Sequence, residues 1–289
     1  MGWAAFFLSA ARVSAQLQWN VFNETAVSAA PASNGANGVT VTVPAGQRVT
    51  LFASNFRPIE WTNTTVDEVY VVTTFRVSGG LSGISGGTRA IGYGLYNSRG
   101  TPTFADDNGY FTWLNGRQTG SLIELRRRNG DGSSPSLLNP TGSAFNNLGT
   151  GTTTQAAGVL TDSGTYSLQL HLMARNPGVS LGNTSSTTSG AGVWLNGEGL
   201  SQTAYTNPDN PPATTVFNQV GFMFFNSTAA PVTLEIVSVT GLTPINPPEI
   251  TSQPAGLILN PGQAGTLTVR ATGTAPLASP LARLEAAEG

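Results

Sequence analysis

Val39-Thr40-Val41-Thr42-Val43 alternates apolar and polar side chains without a break. The same period of two recurs along the chain from residue 16 to residue 245, where no convincing 3.6-residue period appears. A strand sends successive side chains to opposite faces, so each such run is a strand that buries one face. The runs are residues 39–43, 48–53, 68–77, 90–97, 110–114, 121–128, 165–174, 192–195, 220–226 and 232–239. Gly, Asn, Asp and Pro punctuate them. Pro44-Ala45-Gly46-Gln47 has the turn chemistry of a hairpin joining the first two. Ten strands with no helix of consequence must cover two apolar faces, and stacking two antiparallel sheets does so. The expected fold class is therefore all-β, a two-sheet antiparallel β-sandwich. Long loops at 79–88, 139–158 and 177–191, built from Gly, Ser, Thr and Asn, are where a rigid β scaffold would carry recognition.

Composition removes several kinds of chemistry. Fifteen acidic residues against thirteen basic ones leave a formal net charge of -2 over 289 residues, without the basic footprint that nucleic-acid binding requires. All thirteen basic residues are arginine, so Schiff-base lysines and Walker-type phosphate lysines are excluded. With 0 Cys and 1 His, thiol nucleophiles, disulfides and multi-histidine metal sites are excluded too. A Ser-His-Asp triad could form only through His171, and no G-x-S-x-G elbow accompanies it.

The first residues read as an export signal: an apolar run from Trp3 to Ala11, then Val13-Ser14-Ala15 as a cleavage site, with mature protein from Gln16. No Lys or Arg precedes the run. No later stretch reaches the roughly 18–20 continuous apolar residues of a spanning helix, so no membrane span is expected in the mature chain. Export without cysteine fits a bacterial source, secreted or at the cell surface. Residues 16–242 form the expected sandwich domain. Thr243-Pro244-Ile245-Asn246-Pro247-Pro248 has the proline density of a linker.

Beyond it, Glu249-Ile250-Thr251-Ser252-Gln253-Pro254, the turn Pro261-Gly262-Gln263 and the alternating run Thr266 to Gly273 resemble the opening strands of bacterial immunoglobulin-like modules. The resemblance covers roughly 30 residues. The Tyr and Trp of that family's next core strand do not follow, so residues 249–289 are read as an incomplete immunoglobulin-like segment, too short to bury a sandwich core alone. A truncated gene, a frameshift or a fragment is the expected cause.

A broader resemblance covers about 200 residues. The order of Val71-Val72-Thr73-Thr74-Phe75, Gly92-Tyr93-Gly94-Leu95-Tyr96-Asn97, Thr165-Tyr166-Ser167-Leu168, Val193-Trp194-Leu195-Asn196-Gly197, Asn218-Gln219-Val220-Gly221-Phe222 and Leu234-Glu235-Ile236 is similar to the concanavalin-like lectin and glucanase jelly-roll sandwiches. That resemblance implies a fold that serves lectins, enzymes and structural modules alike.

Candidate chemistry is sparse. Glycosidases need paired carboxylates, which a strand supplies at i, i+2 or i+4. The Glu-x-Asp-x-x-Glu signature of the glucanase branch is absent, and adjacent Asp67 and Glu68 would point to opposite strand faces. Gln169 and His171 share the face opposite Leu168, Leu170 and Leu172. A Gln-x-His pair resembles the Gln-Ile/Val-His motif of the alginate-lyase branch of this fold, where Gln neutralises a uronate and His is the base. Two further motifs of that branch fail. Leu122 stands where its first arginine belongs in Leu122-Ile123-Glu124-Leu125-Arg126, and its lysine-containing strand has no counterpart.

Aromatic rings stack on pyranose faces, which makes Tyr96, Trp113 and Trp194 candidate glycan contacts, with one of Tyr93 and Tyr96 expected at the surface. Arg126 and Arg128, with Glu124, read as a solvated stripe or a site for an acidic glycan. Asp106-Asp107-Asn108-Gly109 reads as an ordinary turn. Ca²⁺ at Asp106 and Asp107 is its alternative, since two carboxylates and an amide fall short of six oxygen ligands.

These observations lead us to expect an exported bacterial module that binds a polysaccharide or cell-surface glycan, or mediates adhesion, without catalysis. The ligand-binding candidates are Tyr96, Trp113, Trp194, Gln169, His171 and Arg126. A polysaccharide-active enzyme using His171 and a purely structural spacer are the alternatives. No cofactor is expected apart from a possible Ca²⁺.

Overall fold

A computed structural model of the chain describes residues 16–22, 32–33, 37–60, 67–79, 89–99, 104–115, 121–130, 145–152, 162, 164–174, 183–184, 187–195, 198–205, 213–244, 249–252 and 270–272. The export-signal residues 1–15 and the loop residues 80–88 and 175–182 lie outside the described part.

In chain order the described strands begin with β1 (Asn20–Phe22), β2 (Ala32–Ser33), β3 (Val39–Val43), β4 (Arg48–Ala53), β5 (Ile59–Glu60), β6 (Asp67–Ser78) and β7 (Arg89–Asn97). Next come β8 (Asn108–Asn115), β9 (Ser121–Asn129), β10 (Phe145–Thr152), β11 (Thr165–Ala174), β12 (Asn183–Thr184) and β13 (Thr187–Leu195). The last are β14 (Glu198–Tyr205), β15 (Val216–Phe217), β16 (Gln219–Phe225), β17 (Val232–Thr240), β18 (Glu249–Ser252) and β19 (Arg270–Thr272). A single 3₁₀ turn, Phe104–Asp106, is the one described helical element.

The strands form a two-sheet antiparallel sandwich. Sheet I runs β1-β4-β16-β7-β8-β9-β10, and sheet II runs β12-β13-β11-β6-β17-β3-β2 with β14 added to β13. Alternation dictates what lies between them. Val39, Val41 and Val43 of β3, Val69, Val71, Phe75 and Val77 of β6, and Tyr166, Leu168, Leu170 and Leu172 of β11 face inward from sheet II. Ile91, Tyr93 and Leu95 of β7, Ile123 and Leu125 of β9, and Val220, Phe222 and Phe224 of β16 meet them from sheet I. Phe75 stacks on Tyr166 with ring centroids 5.4 Å apart and meets Phe222 edge-on at 5.5 Å, linking the two sheets.

One local expectation is corrected. The turn at 44–47 exists, with Gln47 N donating to Pro44 O at 3.2 Å and Gly46 at φ 67°, but β3 and β4 are not a hairpin. β3 pairs with β17 and β2, whereas β4 pairs with β1 and β16. Both strands bury apolar residues in the same core, so the turn carries the chain from one sheet to the other. The connection from β16 to β17 makes the same crossing, and buried Asn226 ties the two crossings together. Its Nδ2 donates to Val43 O (3.0 Å), Pro44 O (3.0 Å) and Ala230 O (2.8 Å), while its Oδ1 accepts from Thr228 N and Thr228 Oγ1. Its own backbone N–H donates to Gln47 O at 2.9 Å.

Leu17–Pro244 form one compact unit. Near its end Arg57 N donates to Thr243 O at 2.8 Å, and Phe56 bridges Pro244. In the separate unit that contains residues 245–289, β18 and β19 pair antiparallel, Glu249 opposite Thr272.

Candidate functional site

A sandwich has two outer faces, and here they differ. The outer face of sheet I is buried. On it Tyr96, Phe111, Trp113 and Met223 join Phe104 and Phe145 in a second apolar cluster, with Phe22, Phe52 and Phe225 packed at its side. Glycines make room for these rings: a Cβ on Gly94 would overlap the Tyr96 hydroxyl and Phe111 Cβ, and one on Gly109 would overlap the Leu95 carbonyl.

The expectation of a surface tyrosine is therefore wrong for this pair, since Tyr93 and Tyr96 are both 0% exposed. Tyr93 faces the sandwich core and Tyr96 the second cluster, because strand alternation buries both sides of β7 once the second face is covered. Trp113 is also 0% exposed, so neither of these two candidates offers a ring face to a glycan in this structure. Burial raises the Tyr96 phenol pKa well above its ordinary value, opposed in part by Arg128.

The arginine stripe is corrected in the same way. Glu124, Arg126 and Arg128 do share one face, but it is this covered one. Arg126 holds Glu124 Oε2 through Nε at 2.8 Å and Nη2 at 2.7 Å, a charge-assisted pairing inside the protein. Arg128 lies over the Phe145 ring at 5.0 Å, donates through Nε to Asp107 O at 2.9 Å and through Nη2 to Phe104 O.

Asp106 closes the 3₁₀ turn and is half-buried, while Asp107 is fully buried. Asp107 Oδ2 accepts from Gln219 Nε2 at 2.7 Å, and its Oδ1 has no partner. Burial pushes the Asp107 carboxyl up to about 6, against the pull of Gln219 and Arg128. The two aspartates are thus placed differently, one turned into the protein. Among the described residues no group of three or more His, Cys, Asp or Glu gathers at one point.

The outer face of sheet II is more open where its side chains are described, with Tyr70 and Arg76 exposed and Gln169 and His171 half-buried, and the Gln-x-His strand lies on it. β11 pairs with β6 so that His171 is opposite Tyr70, Gln169 opposite Val72, Ser167 opposite Thr74 and Thr165 opposite Arg76. Tyr70, 50% exposed, meets His171 edge-on with ring centroids 5.7 Å apart. Its hydroxyl donates to Gln169 Oε1 at 2.8 Å. An aromatic ring, an amide and an imidazole thus share one surface patch. Further along, Thr74 Oγ1 and Ser167 Oγ lie 3.2 Å apart, and Arg76 Nε donates to Thr165 Oγ1 at 3.1 Å. On the other side of β11, Gly190 and Gly192 are paired opposite His171 and Gln169, and Trp194 opposite Ser167. The Trp194 side chain lies outside the described part of the structure.

Sequence reasoning thus placed Gln169 and His171 on the outward face of β11, as the structure does, and did not single out Tyr70. The signal was present, because Tyr70 interrupts the apolar stretch Val69 to Val72 at the parity of Arg76, which an inward-facing residue would not share. The two strands that resembled lyase motifs do not converge. Gln169 and His171 face outward from sheet II, Glu124 and Arg126 outward from sheet I, on opposite sides of the core.

No protein-family model matches the sequence, and no curated protein sequence matches it. Solved structures do match. The carbohydrate recognition domain of Emp46p in its metal-free form matches at a TM-score of 0.45 and 11% identity, over 77% of this chain and 86% of that one. A legume lectin-like domain from Entamoeba histolytica matches at a TM-score of 0.40 and 9% identity, over 76% and 87%. The alginate lyase Aly36B matches at 0.36 and 14%, over 72% and 80%.

Proposed function

We propose that the sandwich is a carbohydrate-binding module whose site is the open face of sheet II around Tyr70, Gln169 and His171. One observation carries this: an exposed aromatic ring stands beside an imidazole and an amide on a rigid sheet. The ring offers a surface on which the C–H face of a pyranose can stack. Gln169 offers amide donors for sugar hydroxyls, and the His171 imidazole lies beside them on the same face. The backbone hydrogen bonds that β11 makes on both sides to β6 and β13 hold these groups in place, so little order is lost on binding.

Tyr70, His171 and Gln169 also favour a second reading, β-elimination, with imidazole as base and phenol as acid. In that reading Gln169 would meet the uronate carboxylate, and the arginine strand of the lyase motif would have to stand beside it. Among the described residues Arg76 stands six positions along β6, and Arg126 is in the other sheet. We therefore favour binding without turnover. Export from a bacterial cell and an immunoglobulin-like character for residues 249–289 belong to this proposal too.

Retention of the chain on immobilised bacterial, algal and plant polysaccharides, with and without Ca²⁺, tests it together with absorbance at 235 nm for unsaturated products. Retention without new absorbance, weakened about fivefold by Tyr70→Ala, supports a binding module. Absorbance that disappears in His171→Ala makes it a lyase. Silence in both channels leaves a structural spacer.

A further inference from the structure

We infer that the ligand of this face is an uncharged, extended polysaccharide lying along the β6–β11 strand pair; this rests on the binding proposal above. Two features of the face select it. The first is length. Tyr70 and Arg76 mark the ends of four consecutive cross-strand rows, and six residues of strand at ~3.3 Å each span roughly 20 Å. Both rows between them carry a group that can bond a hydroxyl, Gln169 in one and the Thr74 and Ser167 hydroxyls in the next, and Thr165 joins Arg76 in the end row. A monosaccharide would use one end of this track only.

The second feature is charge. Tight recognition of a uronate or sulfate favours a guanidinium whose fork is turned to the ligand. Among the described side chains the charged ones on this face are Arg76 and Glu235, and the β6 backbone adds Glu68 at the parity of Tyr70. Arg76 and Glu235 are placed opposite one another on β6 and β17, with Arg76 Nη1 3.7 Å from Glu235 Oε2. Arg76 Nε is also directed to Thr165. Its charge is thus balanced within the face, and the arginines that might have read an acidic glycan, Arg126 and Arg128, are buried beneath the other one. Hydroxyl groups with no formal charge fit what remains.

Affinity electrophoresis of the full chain tests the inference, using gels cast with neutral polysaccharides (xyloglucan, laminarin, mannan) or with polyuronates (polygalacturonate, alginate). Runs at low salt and at about 0.5 M salt separate screened charge contacts from uncharged ones. The expected result is retardation by a neutral polymer that survives added salt, with none by the polyuronates. In solution a hexasaccharide of the retained polymer should bind at least tenfold more tightly than its disaccharide. Arg76→Ala should cost the hexasaccharide about fivefold and leave the disaccharide unchanged. Retardation confined to polyuronates and abolished by salt would overturn this inference while leaving the binding proposal standing, as would equal affinity for the two oligosaccharides. No retardation in any gel would overturn the binding proposal itself.

Discussion

Asp107→Asn should make the protein more stable at neutral pH and flatten its pH dependence. Asp107 is 0% exposed, and its carboxyl is raised from 3.8 to about 6 by burial. A carboxyl whose folded pKa lies above its unfolded value favours folding only while it is protonated. That advantage is complete below about pH 4 and disappears as pH rises through about 6. A shift of about two units corresponds to roughly 3 kcal/mol. Above pH 6 the folded chain holds a buried carboxylate with one oxygen bonded to Gln219 and the other without a partner, and Arg128 offsets only part of the cost. An asparagine keeps an acceptor for Gln219 and removes the titration. Urea unfolding of both proteins at several pH values between 4 and 8 gives the difference directly, since every other titrating group cancels. The variant should gain up to about 3 kcal/mol relative to wild type between pH 4 and 7. A constant difference across that range, or a deficit that grows with pH, would refute the reasoning.

Other substitutions test the packing. Asn226→Ala removes the donor for three backbone carbonyls at the two crossings and should cost about 3 kcal/mol by the same unfolding assay. Gly109→Ala places a methyl against the Leu95 backbone carbonyl, which cannot swing aside as a side chain would. It should cost about 3 kcal/mol, with near-ultraviolet circular dichroism reporting the loosened Trp113 environment. Arg128→Lys keeps the charge but loses the planar contact with Phe145 and the paired bonds to the Asp107 and Phe104 carbonyls. A thermal scan should show it destabilised by about 2 kcal/mol.

Strand positions were legible because alternation is local: residues 39–43, 48–53 and 165–174 match β3, β4 and β11 at both ends. β10 was not, since Phe145-Asn146-Asn147-Leu148-Gly149-Thr150-Gly151-Thr152 has the composition of a loop and becomes a strand by pairing with β9, through two register shifts. The hairpin at 44–47 failed for a related reason, because turn chemistry specifies a reversal and says nothing of which sheet receives the returning strand. The site was half legible. Gln169 and His171 could be assigned to an outward face from the leucines between them. That the outward face of sheet I would be covered, burying Tyr96, Trp113, Arg126 and Arg128, depends on Phe104 of the β7–β8 connection and Phe145 of β10 packing there, and β10 reads as a loop in the sequence.

With 1 His in 289 residues, the imidazole C–H proton resonances of His171 are unique in the spectrum and lie at the centre of the proposed site. Titrating the full chain with a neutral hexasaccharide and following those resonances by NMR tests the central claim. Carbohydrate binding on the open face of sheet II predicts a saturable shift of the His171 signals that Tyr70→Ala weakens about fivefold. Saturable binding detected by calorimetry while the His171 signals stay fixed would contradict it, placing the ligand elsewhere on the molecule.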